Sequence, residues 1–79
     1  MSQEVKEQEI HASVEQGKLM AIDGRIIKVQ QVDDRNSLYI EEYELGEEIK
    51  PSELVSLLND DLQLKVVNGK VTEYEDMTN

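Results

Sequence analysis

The sequence contains no cysteine, no tryptophan and no phenylalanine, and it has a single histidine, His11. Without cysteine, disulfides and cysteine-based zinc or iron–sulfur sites are excluded. One histidine is too few for a zinc site, which needs three or four nitrogen or sulfur ligands. A catalytic triad needs three positioned groups, and His11 lies near the N-terminal end. We therefore predict no catalytic residue, no metal site and no cofactor.

Long hydrophobic runs are also missing. The longest uninterrupted apolar run is Leu19–Ile22, whereas a membrane-spanning helix needs ~20 apolar residues. Residues 1–9 are polar and acidic, without the apolar segment of a signal peptide. These features predict a soluble, cytoplasmic protein that does not bind membranes.

Basic residues are scarce, with 8 Lys and Arg against 18 Asp and Glu, for a net charge of −10. Nucleic acids and anionic lipids repel such a chain, so we predict no direct nucleic-acid binding. The charge is concentrated in residues 33–61, where ten acids and two bases give −8, while residues 1–32 and 62–79 each carry −1. The middle of the chain is therefore the most unusual part of the sequence.

Short apolar segments separated by turn residues predict β-strands. Residues 10–14 are predicted as a short strand that ends at Gln16-Gly17. Asp23-Gly24 and Asn68-Gly69 each lie between apolar runs, which is typical of two-residue β-hairpin turns. The second hairpin pairs Val66 with Val71 and Gln63 with Tyr74. The first places Met20, Ile22, Ile27 and Val29 on one face, with Ala21 and Ile26 on the other.

The residues between the hairpins predict one more strand and a helix. Leu38–Tyr43 alternates, with leucine and isoleucine on one face and the tyrosines on the other. The segment Lys50-Pro51-Ser52-Glu53 is typical of a helix start. An apolar stripe follows at helical spacing: Leu54, Leu57 and Leu58.

Together these elements predict an α+β fold. It consists of a small antiparallel β-meander (a sheet or a half-open barrel), one short helix and a C-terminal β-hairpin. Residues 10–76 form a single domain, residues 1–9 form a disordered N-terminal tail, and residues 77–79 form a frayed C-terminus.

Two surfaces are candidates for function. The first is an acidic surface formed by Glu41, Glu42, Glu44, Glu47 and Glu48. It is interpreted as a charged edge that keeps the sheet soluble, a docking surface for a basic partner, or a mimic of a nucleic-acid backbone. The second is an apolar and aromatic face formed by Ile26, Tyr39, Tyr43 and Tyr74. It is interpreted as an interface, as a face covered by barrel closure, or as scattered surface residues.

The sequence thus favours a non-enzymatic protein-interaction module, of the small accessory type found in phages and bacteria. We predict a protein partner with a basic surface, and self-association into a homo-oligomer. The alternative is an acidic inhibitor that mimics nucleic acid, which requires the five glutamates to lie on one surface ~7 Å apart. The least favoured hypothesis is an enzyme with paired carboxylates in a closed pocket.

Overall fold

A computed structural model of the chain describes residues 10–78, so the predicted N-terminal tail, residues 1–9, lies outside the described residues together with Asn79. The described part contains five strands and one 3₁₀ helix. In chain order they are β1 (Ala12–Asp23), β2 (Ile26–Val32), β3 (Leu38–Leu45), the 3₁₀ helix (Pro51–Leu57), β4 (Asp61–Val67) and β5 (Lys70–Asp76).

The strands form a closed barrel in the order β1-β2-β3-β5-β4. All neighbours are antiparallel except β3 and β5, which run parallel and pair through Glu44–Lys70 and Leu45–Val71. The sheet is therefore mixed, and the prediction of a purely antiparallel sheet is wrong. The chain crosses one end of the barrel through the helix, so the β4–β5 hairpin enters between β1 and β3. The described residues therefore form a five-stranded mixed barrel with one short helix between β3 and β4.

β1 is one long strand, and Gly17 does not end it as predicted. Its first half pairs with β4 and its second half pairs with β2. A Cβ atom at Gly17 would lie 2.5 Å from the Gln30 carbonyl oxygen and 2.6 Å from Cγ1 of Val29. The glycine therefore lets β1 cross closely over β2, and the predicted break in the strand is a point of contact.

The predicted first hairpin is confirmed, but its register differs from the prediction. Asp23 pairs with Ile26, which leaves Gly24 (φ +63°) and Arg25 as the turn residues. A bulge between Leu19 and Ala21 shifts the strand by one residue. Leu19 is consequently buried and Met20 is 40% exposed, so the predicted core position of Met20 is wrong.

The second hairpin turns at Asn68 (φ 52°) and Gly69 (φ 84°), as predicted for a turn in which both central residues have positive φ. Val66 faces Val71, which confirms that pair. Tyr74 faces Leu64 and not Gln63, because a bulge at Lys65/Val66 shifts the remaining pairs. After β5, Met77 donates its N–H to the Asp61 carbonyl oxygen at 2.8 Å, and the Thr78 hydroxyl accepts the Asp61 N–H at 2.8 Å.

The 3₁₀ helix packs against the barrel core through Leu54 and Leu57. The Lys50 N–H donates to the Glu53 carboxylate at 3.0 Å and fixes the start of the helix. A 3₁₀ helix has three residues per turn, so Leu54 and Leu57 point the same way, whereas Leu58 is exposed. The buried apolar core consists of Leu19, Ile27, Val29, Leu45, Ile49, Leu54, Leu62, Leu64, Val66 and Val71.

Candidate protein-interaction surface

β3 collects most of the residues that the sequence marks as functional candidates. In its pairing with β2, Tyr43 lies opposite the buried Ile27, and Glu41 lies opposite the buried Val29. Residues paired across a sheet share a face. Tyr39, Glu41 and Tyr43 therefore lie on the face that continues the barrel interior. Leu38, Ile40, Glu42 and Glu44 lie on the outer face.

This alternation divides the predicted acidic surface. Glu41 is on the inner face, whereas Glu42 and Glu44 are on the outer face. Glu47 and Glu48 are exposed in the connection after β3. The five carboxylates do not form one row, so the arrangement that nucleic-acid mimicry required is not present.

The predicted apolar and aromatic face is wrong as a single surface. Ile26 lies opposite Glu44, on the outer face, whereas Tyr39 and Tyr43 lie on the inner face. Tyr74 is on β5, where its hydroxyl donates to the Glu53 carboxylate at 2.6 Å. Tyr43 and Tyr74 pack against the core. The strand period was interpreted correctly, but barrel closure turned the tyrosine face inward.

The inner face holds a polar contact at the barrel mouth. The Tyr43 hydroxyl donates to Oε1 of Gln31 at 3.2 Å, and Nε2 of Gln31 lies 3.5 Å from the Glu15 carboxylate. Gln31 is the buried polar residue of the described core. Burial of the Tyr43 hydroxyl raises its pKa, while the Gln31 bond opposes the rise. The Gln31 amide thus satisfies Tyr43 inside the barrel.

The outer face carries an exposed apolar patch that the sequence interpretation did not single out. Val32 and Leu38 lie opposite each other at the end of the β2–β3 hairpin, and Ile40 follows on the same face. Their exposures are 55%, 63% and 49%. Val32 and Tyr39 also line an open groove of about 390 Å³ with Asp33, Asp34 and Arg35. We call Val32, Leu38 and Ile40 the hairpin patch.

The Asp33 side chain stabilises the turn that joins β2 and β3. One carboxylate oxygen of Asp33 accepts the N–H groups of Arg35 and Ser37 at 2.8 and 2.9 Å. Asn36 takes the left-handed conformation at φ 65°. Asparagine and aspartate favour such turns because their side chains bond to the nearby backbone. The hairpin patch is therefore presented by a defined turn.

One edge of β3 is open beside this patch. β2 covers one edge of β3 from Leu38 to Glu44. On the other edge, β5 pairs only with Glu44 and Leu45. Among residues 10–78, no strand is paired with that edge over Leu38–Tyr43, a length of about 20 Å.

The other end of β3 is fixed by Arg25. Its guanidinium donates to the carbonyl oxygens of Leu45, Gly46 and Ile49, at 3.3 Å for Leu45 and 3.0 Å for Ile49. Glu44 also pairs with Lys70 at 3.9 Å. No sequence pattern indicates this role, because Arg25 lies in a turn that is far from these residues along the chain. The contact holds the acidic connection against the barrel.

Other polar groups lie away from β3. The backbone of His11 exchanges hydrogen bonds with Asn68, at 2.9 Å to its side chain and 2.8 Å to its backbone N–H. Loss of hydration raises the pKa of Asp60, and the neighbouring Asp76 carboxylate adds to the rise. Within residues 10–78, no three histidine or acidic side chains form a cluster that could hold a metal ion.

The chain matches no protein-family model, no curated protein and no solved structure. No helix in the described part is long and apolar enough to cross a membrane.

Proposed function

We propose that this protein is a non-enzymatic protein-interaction module, and that β3 together with the hairpin patch binds a partner protein with a basic surface. The observation that carries the proposal is the placement of exposed Leu38 and Ile40 beside Glu42 on the outer face of β3, with Glu41 on the inner face of the same strand. Apolar side chains that the core does not use supply binding energy when they are covered. Adjacent carboxylates select and orient a basic partner.

The barrel architecture by itself would also suit a different ligand class, since the OB-fold, another five-stranded barrel, binds oligonucleotides and oligosaccharides on the face of its strands 2 and 3. A fold does not determine function, however, and the charges at the site decide here. Glu41, Glu42 and Glu44 stand on this hairpin with Lys28 opposite Glu42. Carboxylates in this position repel phosphates, so we favour a protein partner.

The proposal is tested by site-specific photo-crosslinking of the full chain in the cells that produce it. A photoreactive amino acid at Ile40 is expected to give a discrete cross-linked partner. The same group at Val55, which is 58% exposed on the helix, serves as the control. Equal cross-linking from both positions would show that β3 is not the contact surface.

A charge-reversal pair separates a local from a general effect of acidity. Glu41→Lys/Glu42→Lys and Glu73→Lys/Glu75→Lys alter the net charge by the same amount, and all four side chains are exposed. We expect the β3 pair to lower the affinity for the partner by about tenfold and the cross-linking yield with it, since each lost or reversed ion pair costs up to ~1 kcal/mol. An equal loss with the β5 pair would contradict a specific β3 surface.

A further inference from the structure

The backbone hydrogen bonds of β3 determine which of its N–H and C=O groups are unpaired at the open edge. Leu45 donates its N–H to the Arg25 carbonyl at 2.7 Å, and the Ser37 carbonyl accepts the Asp33 N–H at 3.0 Å. These two bonds mark opposite ends of the β2–β3 ladder, and its register has no shift between them. Bonded pairs alternate with non-bonded pairs in an antiparallel ladder. The odd-numbered residues of β3 therefore bond to β2.

The backbone N–H and C=O groups of the even-numbered β3 residues point away from β2. Gly46 confirms this parity, because its N–H donates to the Val71 carbonyl on β5 at 2.8 Å. On the N-terminal side of Gly46, the N–H and C=O groups of Leu38, Ile40 and Glu42 therefore face the open edge. Unpaired strand edges are templates for another strand, and proteins usually block them with proline, bulges or a covering segment. β3 contains no proline and no bulge.

We propose that the open edge of β3 binds an extended segment of the partner as a sixth, antiparallel strand, and that this segment carries basic residues opposite Glu41 and Glu42 and apolar residues opposite Leu38 and Ile40. The inference rests on the proposed function and specifies how the partner is recognised. Backbone bonds supply affinity in such strand addition, and alternating side chains supply specificity. On the outer face, the apolar residues of the added strand cover the exposed Leu38 and Ile40.

Charge complementarity argues against a second copy of this chain in the registers centred on Glu41 and on Ile40. A two-fold pairing centred on Glu41 places the Glu41 side chains of the two copies directly opposite each other. A pairing centred on Ile40 places Leu38 opposite Glu42, and Tyr39 opposite Glu41. Like charges or buried carboxylates oppose both arrangements. A basic strand removes the same conflict.

A direct test uses hydrogen exchange of the free protein and of a complex with a synthetic peptide. The peptide TKKITV, flanked by glycine and serine, places its lysines opposite Glu42 and Glu41 and its isoleucine opposite Ile40. In the free protein, we expect fast amide exchange at Leu38, Ile40 and Glu42, and slower exchange at Tyr39, Glu41 and Tyr43. Peptide binding is expected to slow the exchange of the first group. Uniformly slow exchange in the free protein would overturn the open edge.

N-methylation of the peptide tests the backbone contact without altering the protein. Methyl groups on the isoleucine and valine amides block bonds to Ile40 and Leu38, whereas methyl groups on the two threonine amides leave the edge bonds intact. We expect at least a tenfold loss of affinity for the first peptide, because two hydrogen bonds are lost. A similar loss for both peptides would overturn the strand-addition mode.

Three outcomes separate this inference from the proposed function. Equal binding of the acidic peptide TEEITV would overturn the predicted charge preference. A dimer of the protein in analytical ultracentrifugation that Ile40→Pro dissociates and Ile40→Ala retains would assign the edge to a second copy and overturn the basic strand. If no peptide binds while photo-crosslinking at Ile40 still captures a partner, strand addition fails and the interaction module stands.

Discussion

β3 and β4 have similar sequence patterns and opposite burial. Leu38 and Ile40 alternate with polar or aromatic residues in β3, as Leu62 and Leu64 do in β4. The β4 leucines are completely buried, whereas the β3 residues are about half exposed or more. β4 has a strand on each side and faces the barrel interior. The first half of β3 has β2 on one side only, and its leucine and isoleucine point outward. Topology, and not strand pattern, therefore decides which apolar residues remain available for a partner.

The largest expected effect tests this comparison directly. Leu64→Ala removes a side chain that is 1% exposed in the core and should lower the free energy of unfolding by about 2–5 kcal/mol. The matched Leu38→Ala removes the same atoms from an exposed position and should alter it by less than about 0.5 kcal/mol. Urea denaturation of both variants measures the difference. A large decrease in the free energy of unfolding of Leu38→Ala would mean that the hairpin patch stabilises the folded protein.

The next effect concerns the crossing of β1 over β2. Gly17→Ala places a Cβ within 3 Å of backbone and side-chain atoms of β2, which must shift. We expect the free energy of unfolding to fall by about 1–3 kcal/mol, as in other overpacked sites. Gln16→Ala, at the exposed neighbouring position, is the control. If the two variants are equally stable by thermal denaturation, the crossing is looser than this contact distance indicates.

The two hairpins show what the sequence could and could not predict. The turn residues predict both hairpins, because Gly24 and Gly69 take positive φ. The helix start follows from Pro51 and Glu53. Two bulges then displace the register: Leu19 takes the place predicted for Met20, and Leu64 takes that predicted for Gln63. A bulge adds one residue without a marked sequence signal, so it reverses the faces beyond it.

The candidate site was predicted only in part for the same physical reason. The period-two pattern separates Leu38 and Ile40 from Tyr39 and Tyr43, and the structure keeps that separation. The pattern does not indicate which side faces the interior. That choice depends on the β3–β5 contact, which joins Leu45 to Val71 across a long stretch of chain. The open edge depends on the same distant pairing, and local sequence carries no signal for it.

A smaller effect is expected from the tyrosine at the barrel mouth. Because burial raises the pKa of Tyr43 in the folded state, the unfolded chain releases that proton first, near pH 10. Stability should therefore fall as the pH rises above 10. At neutral pH, Tyr43→Phe removes the hydrogen bond to Gln31 and should lower the free energy of unfolding by about 1 kcal/mol. Above pH 10, the stability of this variant should fall less with pH than that of the original protein, because the titrating hydroxyl is gone. Denaturation curves at neutral and alkaline pH measure both quantities. Equal alkaline sensitivity of both proteins would contradict the assignment to Tyr43.

The smallest effect belongs to the exposed contact between Tyr74 on β5 and Glu53 in the 3₁₀ helix. The Tyr74 hydroxyl and the Lys50 N–H bond to the Glu53 carboxylate and lower its pKa below 4.5, and the same contact raises the pKa of Tyr74 above 10. Since the folded-state pKa of Glu53 is the lower one, its contribution to stability is present above pH 4.5. That contribution is lost as the pH falls through the folded-state value.

Tyr74→Phe should raise the pKa of Glu53 toward 4.5, and NMR titration of the Glu53 side chain measures the shift. Glu53→Gln should move the pKa of Tyr74 back toward 10 by the reciprocal loss. Solvent screens this exposed pair, so we expect little alteration in the thermal midpoint at neutral pH. An unaltered Glu53 titration in Tyr74→Phe would leave the Lys50 N–H as the main cause. The carboxylate would then act through the start of the helix, and the packing of Tyr74 against the barrel would not depend on its hydroxyl.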